Sequence, residues 1–518
     1  MNNFTNFFTK IFQKNFLSNS LKNFLGIKRP TLKRWEYGVT YEIFVKSFAD
    51  SNQDGIGDLN GVIQKLPYLA DLGVQALWLM PISPSPSYHK YDVTDFYAIH
   101  TEYGTMADFR KLVKEAHKKG IKIMIDLVLN HTSHQHAWFL DACNNPNSIY
   151  TDFYIWNTPE NIAKLGENRT ASADADNLKI WHEVAGKQEK YYALFSYNMP
   201  DLNYDNLALR QEIFKIGKFW IQEIGIDGFR LDAAKHIFEN NRETDNHNWW
   251  IEFKNEMQKC NPNVYLVGEV WDSAQKVAPY LKGIRAMFNF DMSEAIFKTI
   301  WNEKESALLH QHLKNLELFR FYNPDYLNAI FLTNHDQNRI ASALEGHQDK
   351  IKLAASILLT LSGSPYIYYG EELGMFGKKP DECIREPFIW GNPKFQTTWI
   401  RAKFSTADKI KSLAEQIADP NSVYHHYKKL IHLRNNSEIL TYGELLAVDL
   451  KNEALLAFLR IYEGKTLLVI HNLSWQEQFF ILPTSLKGFK HIYFSNHKVE
   501  MKEKIKIPSY TTLVLKME

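Results

Sequence analysis

Residues 106–130 read MADFRKLVKEAHKKGIKIMIDLVLN. From 106 to 120 apolar side chains return every three or four places, as on one face of a helix. From 121 to 130 they form a nearly continuous apolar run, as in a strand buried on both faces. The alternation recurs along the chain. Apolar runs stand at YEIFVKSF (41–48), ALWLMPI (76–82), IDGFRLDAA (226–234), VYLVGEVW (264–271), RAMFNFD (285–291), NAIFLTNHD (328–336) and SPYIYYG (364–370), with helical patterns such as ALRQEIFKIGKFWIQEIG (208–225) between them. Eight strands alternating with helices predict an α/β fold, a closed parallel (β/α)8 TIM barrel rather than an open sheet.

The stretch from Asn130 to Leu207 is too long for a barrel loop without structure of its own, so a subdomain inserted after strand three is expected. After about residue 440 the runs LLAVDL, LLAFLRIY, KTLLVIHNLS, EQFFIL and TTLVLKM follow one another with no helical pattern between, which predicts a C-terminal antiparallel β-sandwich. The expected organisation is an N-terminal extension (1–35), the barrel's first part (36–131), the inserted subdomain (132–198), the barrel's second part (199–437) and the sandwich (438–518).

Charges nearly cancel over the 518 residues, with 60 Lys and Arg against 59 Asp and Glu, so no nucleic-acid partner is expected. Cys143, Cys260 and Cys383 are odd in number and far apart, which fits buried free thiols and excludes a disulfide framework or zinc spacing. No apolar run has the roughly 18 residues of a membrane span. Residues 1–35 contain no Asp or Glu but carry seven Lys and Arg, and Phe4, Phe7, Phe8, Ile11 and Phe12 fall at helical spacing. A basic amphipathic helix of this kind lies on a membrane surface, acts as a transit peptide, or docks on the protein's own surface. It lacks the apolar block and cleavage site of a secretory signal, so an intracellular protein is expected, acting as a monomer.

Polar residues collect where the predicted strands end, the active-site face of a barrel: Asp126, Asn130, Asp232, Glu269 and Asp336. Any one of them could simply cap the next helix; three carboxylates from different strands are harder to explain so. Arg230 and Asp232, two apart, share one strand face, and a guanidinium beside a carboxylate suits a nucleophile. Glu269 sits between Gly268 and apolar neighbours, where desolvation raises a carboxyl pKa and suits a general acid. Asn334, His335 and Asp336 offer several hydrogen-bonding groups at one strand end.

The ordered motifs DLVLNH (126–131), GFRLDAAKH (228–236), GEVW (268–271) and FLTNHD (331–336), with MPDLN (199–203), resemble those of the α-amylase family, the family-13 glycoside hydrolases, in the group between oligo-1,6-glucosidases and neopullulanases. The resemblance covers roughly residues 36–518. It implies that Asp232 is the nucleophile, Glu269 the general acid/base and Asp336 the residue holding the sugar at the bond being cut. It implies further that Arg230, His131 and His335 line that sugar's subsite, with Tyr91 as stacking platform and His89 nearby. Lys90 departs from the pattern, because members often have Gly there. Lys235 and His236 resemble the pair used on the leaving-group side. With Ala233 rather than Val after the nucleophile, they favour α-1,4 cleavage of starch, glycogen or maltooligosaccharides.

The stretch DSNQDGIGD (50–58) starts like a calcium loop, but Gly61 stands where a closing Glu belongs. Many relatives carry a single calcium loop after the first barrel strand. The resemblance therefore implies one structural Ca2+ held by the side chains of Asp50, Asn52, Asp54 and Asp58 and the Ile56 carbonyl. Alternatives to a retaining α-glucan hydrolase are an α-glucosidase or oligo-1,6-glucosidase, a transglycosylase or trehalose-forming isomerase using the same intermediate, and a non-catalytic member such as a transporter subunit. The three carboxylates speak against the last.

Overall fold

The computed structural model describes residues 34–165, 179–238, 241–305 and 307–517. The eight predicted strands are present: β1 (Thr40–Ile43), β2 (Ala76–Leu79), β3 (Lys122–Leu127), β4 (Gly228–Leu231), β5 (Tyr265–Gly268), β6 (Ala286–Phe288), β7 (Leu327–Phe331) and β8 (Ser364–Tyr368). Each pairs in parallel with the next, and β1 pairs with β8 to close the barrel. The strands are shorter than the apolar runs. Val45–Phe48 is a helical turn, and Phe290 already opens a helix. These segments are buried like the strands they follow, and a short, mostly apolar run carries no period to tell strand from helix.

Side-chain alternation sorts each strand. Tyr41, Ile43, Leu77, Leu79, Ile123, Ile125, Phe229 and Leu231 face the helices, whereas Trp78, Met124, Tyr265, Val267, Phe288 and Tyr366 fill the barrel. Continuing the inward register toward the strands' C-terminal ends reaches Glu42, Asp126, Arg230, Asp232 and Glu269. The helix Met106–Lys118 starts at a capping box between Thr105 and Asp108, buries Phe109, Leu112, Val113 and Ala116, and runs into β3 through Gly120, whose φ of 73° is left-handed.

Between β3 and β4 the chain forms the helices Ala137–Asn144 and Pro159–Leu165 and a three-stranded sheet (Trp156–Asn157, Lys190–Tyr192, Trp181–Glu183). Ile162, Ile180, Trp181 and Leu194 give it a small core of its own. The C-terminal region is an antiparallel five-stranded sheet in the order Glu444–Ala447, Leu455–Tyr462, Lys465–Asn472, Thr512–Met517, Phe489–Ser495, with a second sheet of Gln478–Phe480 and Ile505–Ile507. The strand Phe489–Ser495 had no signal in the sequence. It is a largely exposed edge strand with two register shifts, so no hydrophobic alternation marks it. The larger sheet is covered on both faces: Leu456, Phe458, Leu467, Val469 and Val514 join the barrel core, while Leu455, Leu459, Leu468, Ile470, Leu513 and Leu515 pack on the smaller sheet. Arg460 and Arg434 are buried at this junction and both donate to the Leu361 carbonyl, at 2.9 Å each.

All three cysteines are free, but only Cys383 is buried; Cys143 and Cys260 are half-buried. Among the described residues no helix is long and apolar enough to cross a membrane. The expected amphipathic helix within 1–35 lies outside the described residues.

Candidate active site

One guanidinium organises the carboxylates at the barrel mouth. Arg230 Nη1 donates to Asp126 Oδ1 at 2.9 Å and Oδ2 at 3.1 Å and to Asp232, and Nη2 pairs with Glu269 Oε2 at 2.7 Å. Its strand position puts it between β3 and β5, so carboxylates from three neighbouring strands reach it. A planar, forked donor can serve them at once where a point charge could not. Burial pushes the Glu269 carboxyl up to about 7; Arg230 opposes the rise, and Asp232 and Asp336 add to it. Directly after Asp232 the backbone turns through the left-handed region at Ala233 (φ 45°, ψ 40°), and the Ala233 N–H donates to Glu269 Oε2 at 3.3 Å.

Asp336 is held separately. Its Oδ1 accepts from Arg385 Nη2 and its Oδ2 pairs with His335 Nε2, both at 2.9 Å. Burial would raise this carboxyl, but His335 and Arg385 outweigh it and hold it far below the usual range. Arg385 carried no sequence signal; it caps the C-terminus of a short helix, Asp381–Ile384, that has no catalytic pattern of its own.

A cleft of about 1390 Å³ opens over these groups. Asp232, Glu269 and Asp336 line it, as do His89, Tyr91, His131, Lys235 and His236. Arg230 and His335 do not. They are 1% and 0% exposed and stand behind the carboxylates. Each meets buried carboxylates, and pairing them is what keeps those ions tolerable in the interior.

Tyr91 lies 5.6 Å from the His335 ring at an interplanar angle of 13°, with its hydroxyl 3.2 Å from Asp126 Oδ2. His89 Nδ1 accepts the Tyr91 N–H at 3.1 Å. Lys90 between them has φ 68°, the left-handed conformation in which Gly is favoured, and is pinned there by Nζ contacts to the Ser87 carbonyl at 3.2 Å and Glu102 at 3.3 Å. His131 Nδ1 is 3.0 Å from Asn130 Oδ1, while its buried Nε2 has no partner among the described residues. Burial lowers the pKa of both His89 and His131. Lys235 Nζ donates to the Trp271 carbonyl at 2.8 Å, and His236 meets the Phe195 ring edge-on at 5.5 Å.

In loop 50–58 the oxygens suit calcium chemically, but hydrogen bonds already occupy them. Asp50 accepts from the N–H groups of Asn52, Gln53 and Gly55; Asp54 accepts from Ile56; Asp58 caps the helix Leu59–Leu72 through the Gly61 N–H and accepts from Ser51 twice. Among the described residues no three His, Cys, Asp or Glu side chains gather as a metal site.

A model of the α-amylase catalytic domain matches residues 42–443, and one of the C-terminal domain of the α-amylase SusG matches 455–514. The chain is 45% identical to α-amylase 3 of Dictyoglomus thermophilum over 93% of its own length and 94% of the relative's. It is 35% identical to a 4-α-glucanotransferase of Thermotoga neapolitana over 85% and 97%. The solved α-amylase of H. orenii superposes with a TM-score of 0.86 at 40% identity, covering 93% of this chain and all of that one. With a barrel that closes over buried carboxylates and matches of this extent, the chain belongs to the α-amylase family of glycoside hydrolases, enzymes that act on α-glucans.

Proposed function

We propose that the protein is a retaining α-glucan hydrolase cleaving α-1,4 bonds of starch, glycogen or maltooligosaccharides. The observation that carries this reading is the shared Arg230: it pairs Asp232 and Glu269 on one guanidinium while burial keeps the Glu269 proton available near neutrality. Asp232 attacks the anomeric carbon as Glu269 gives its proton to the departing glycosidic oxygen, leaving a glycosyl ester on Asp232. Glu269, now a carboxylate, takes a proton from water, and the resulting hydroxide displaces Asp232, restoring both groups. Asp336, fixed by His335 and Arg385, accepts hydrogen bonds from the sugar at the cleaved bond. Lys235 and His236 line the cleft on the leaving-group side in this reading, which supports the α-1,4 preference.

Double displacement retains configuration. NMR of the first product from maltoheptaose should show the α-anomer, and an initial β-anomer would exclude the covalent route. Product lengths in the same reaction separate hydrolysis from transfer, which matters because a glucanotransferase is among the relatives.

A second expectation follows from Glu269. The free enzyme must carry its proton there, so kcat/KM should fall as pH rises through about 7. In the Glu269→Gln protein the residual activity should lose this alkaline limb.

Calcium in loop 50–58 is proposed on the oxygen spacing together with the family resemblance. Asp50, Asn52, Asp54, Asp58 and the Ile56 carbonyl would hold it, and no step of the reaction passes through it. Saturating calcium should raise the melting temperature relative to EDTA, and Asp54→Ala should lose most of that gain. Identical wild-type curves would mean that the loop's own hydrogen bonds suffice.

A further inference from the structure

The barrel interior is apolar apart from its mouth, and Glu42 is the one acidic residue that β1 turns inward. A carboxylate in that place needs a partner. Its Oε1 meets His335 Nδ1, across 293 residues of chain, and the other ring nitrogen, Nε2, faces Asp336 Oδ2 at 2.9 Å. Glu42 and His335 are both buried, at 2% and 0% exposure. The remaining neighbours close the imidazole in. The Tyr91 hydroxyl reaches Nε2 at 2.5 Å, the Trp78 ring stands edge-on at 5.5 Å, and Arg385 Nε donates to the His335 carbonyl at 3.0 Å.

We propose that Glu42 is a positioning residue of the active site: by accepting the His335 Nδ1–H, it fixes the ring with Nε2 facing Asp336 and the Tyr91 hydroxyl, and so holds that carboxylate for the sugar. The ring nitrogens of a histidine are distinct, and the bond made by one sets the role of the other. Without Glu42 the ring loses one of the two carboxylates that keep it an imidazolium, and with no acceptor at Nδ1 it is free to turn away from Asp336. Burial alone would discharge His335, but Asp336 and Glu42 on opposite nitrogens outweigh it and push it up to about 10, so both nitrogens carry protons through the neutral range.

This rests on the role given to Asp336 in the proposed reaction. If that reading failed, the wild type would not turn over maltoheptaose. If the Glu42 assignment failed, an active wild type would be matched by its variants. Glu42→Leu, similar in volume but without an acceptor, should lower kcat/KM on maltoheptaose about 10–100-fold, the range typical of lost outer hydrogen-bond partners. Glu42→Gln, which keeps an acceptor oxygen, should restore most of that loss. In a His335→Ala background Glu42→Leu should cost little more, because it acts through the imidazole. Wild-type-like turnover of Glu42→Leu would overturn the proposal, as would Glu42→Gln being as impaired as Glu42→Leu, or a full additional cost in the His335→Ala background. Should Glu42→Leu not fold, the Glu42→Gln protein carries the test by NMR of 15N-labelled histidine. The downfield His335 Nδ1–H signal should persist, and its disappearance with turnover unchanged would overturn the assignment equally.

Discussion

Asp232→Asn should lower turnover of soluble starch by on the order of 10⁴-fold or more, because an amide oxygen is too weak a nucleophile to form the glycosyl ester. Glu269→Gln should cost about 10²–10⁴-fold, the worth of general acid catalysis. Both substitutions keep size, and Arg230 keeps Asp126 and one further carboxylate in each case, so both proteins should fold. The two losses differ in kind. An aryl maltoside whose leaving group departs without protonation should recover much of the first-step rate in Glu269→Gln and none in Asp232→Asn. Burst kinetics with such a substrate reads the difference. Near-normal starch turnover in either purified variant would remove that residue from its role.

The second large effect concerns Arg230. Arg230→Met leaves Asp126, Asp232 and Glu269 around an apolar side chain with no cation between them. Removing one partner of a buried ion pair costs about 3–5 kcal/mol, and here three carboxylates share the partner. Activity should fall with stability, since the proposed nucleophile and acid lose their common anchor. The pH dependence separates this from a simple packing defect. Buried carboxylates without a cation have folded-state pKa values above their unfolded values, so the folded variant binds the extra protons and gains stability as pH falls. The gap in unfolding free energy between wild type and variant should therefore be wide at pH 8 and narrow toward pH 5. A gap independent of pH would mean that the carboxylates are not what Arg230 stabilises. Arg230→Lys keeps a charge but not the fork, and should fall between the two.

The barrel was legible because its strands are buried on both faces and its helices are not, so two hydrophobic periods alternate in one chain. The three carboxylates were legible because each ends such a strand. What escaped was held by contacts remote in sequence. Glu42 lies inside the apolar run YEIFVKSF and acquires meaning only when β7 brings His335 beside it. Arg385 reaches Asp336 from a connecting segment with no period to read. Arg230 and His335 were placed in the right neighbourhood, but their burial behind the carboxylates was not legible, since a sequence gives the face a side chain takes and not its depth. Loop 50–58 displays its oxygens plainly, whereas their engagement by Ser51, Gly55 and Gly61 depends on how the loop closes.

The C-terminal sheet has no free face. One set of alternate side chains belongs to the barrel's core and the other to the smaller sheet, and Arg460 reaches across to Leu361, which also accepts from Arg434. Cutting the chain after the catalytic-domain match at residue 443 would strip an apolar cover from the barrel helices and remove Arg460, which donates to the Thr360 and Leu361 carbonyls. The two regions are thus bound to a common fate on heating. A change made to stiffen the distal sheet is felt as longevity of the catalytic mouth, and selection for endurance has a target far from any sugar.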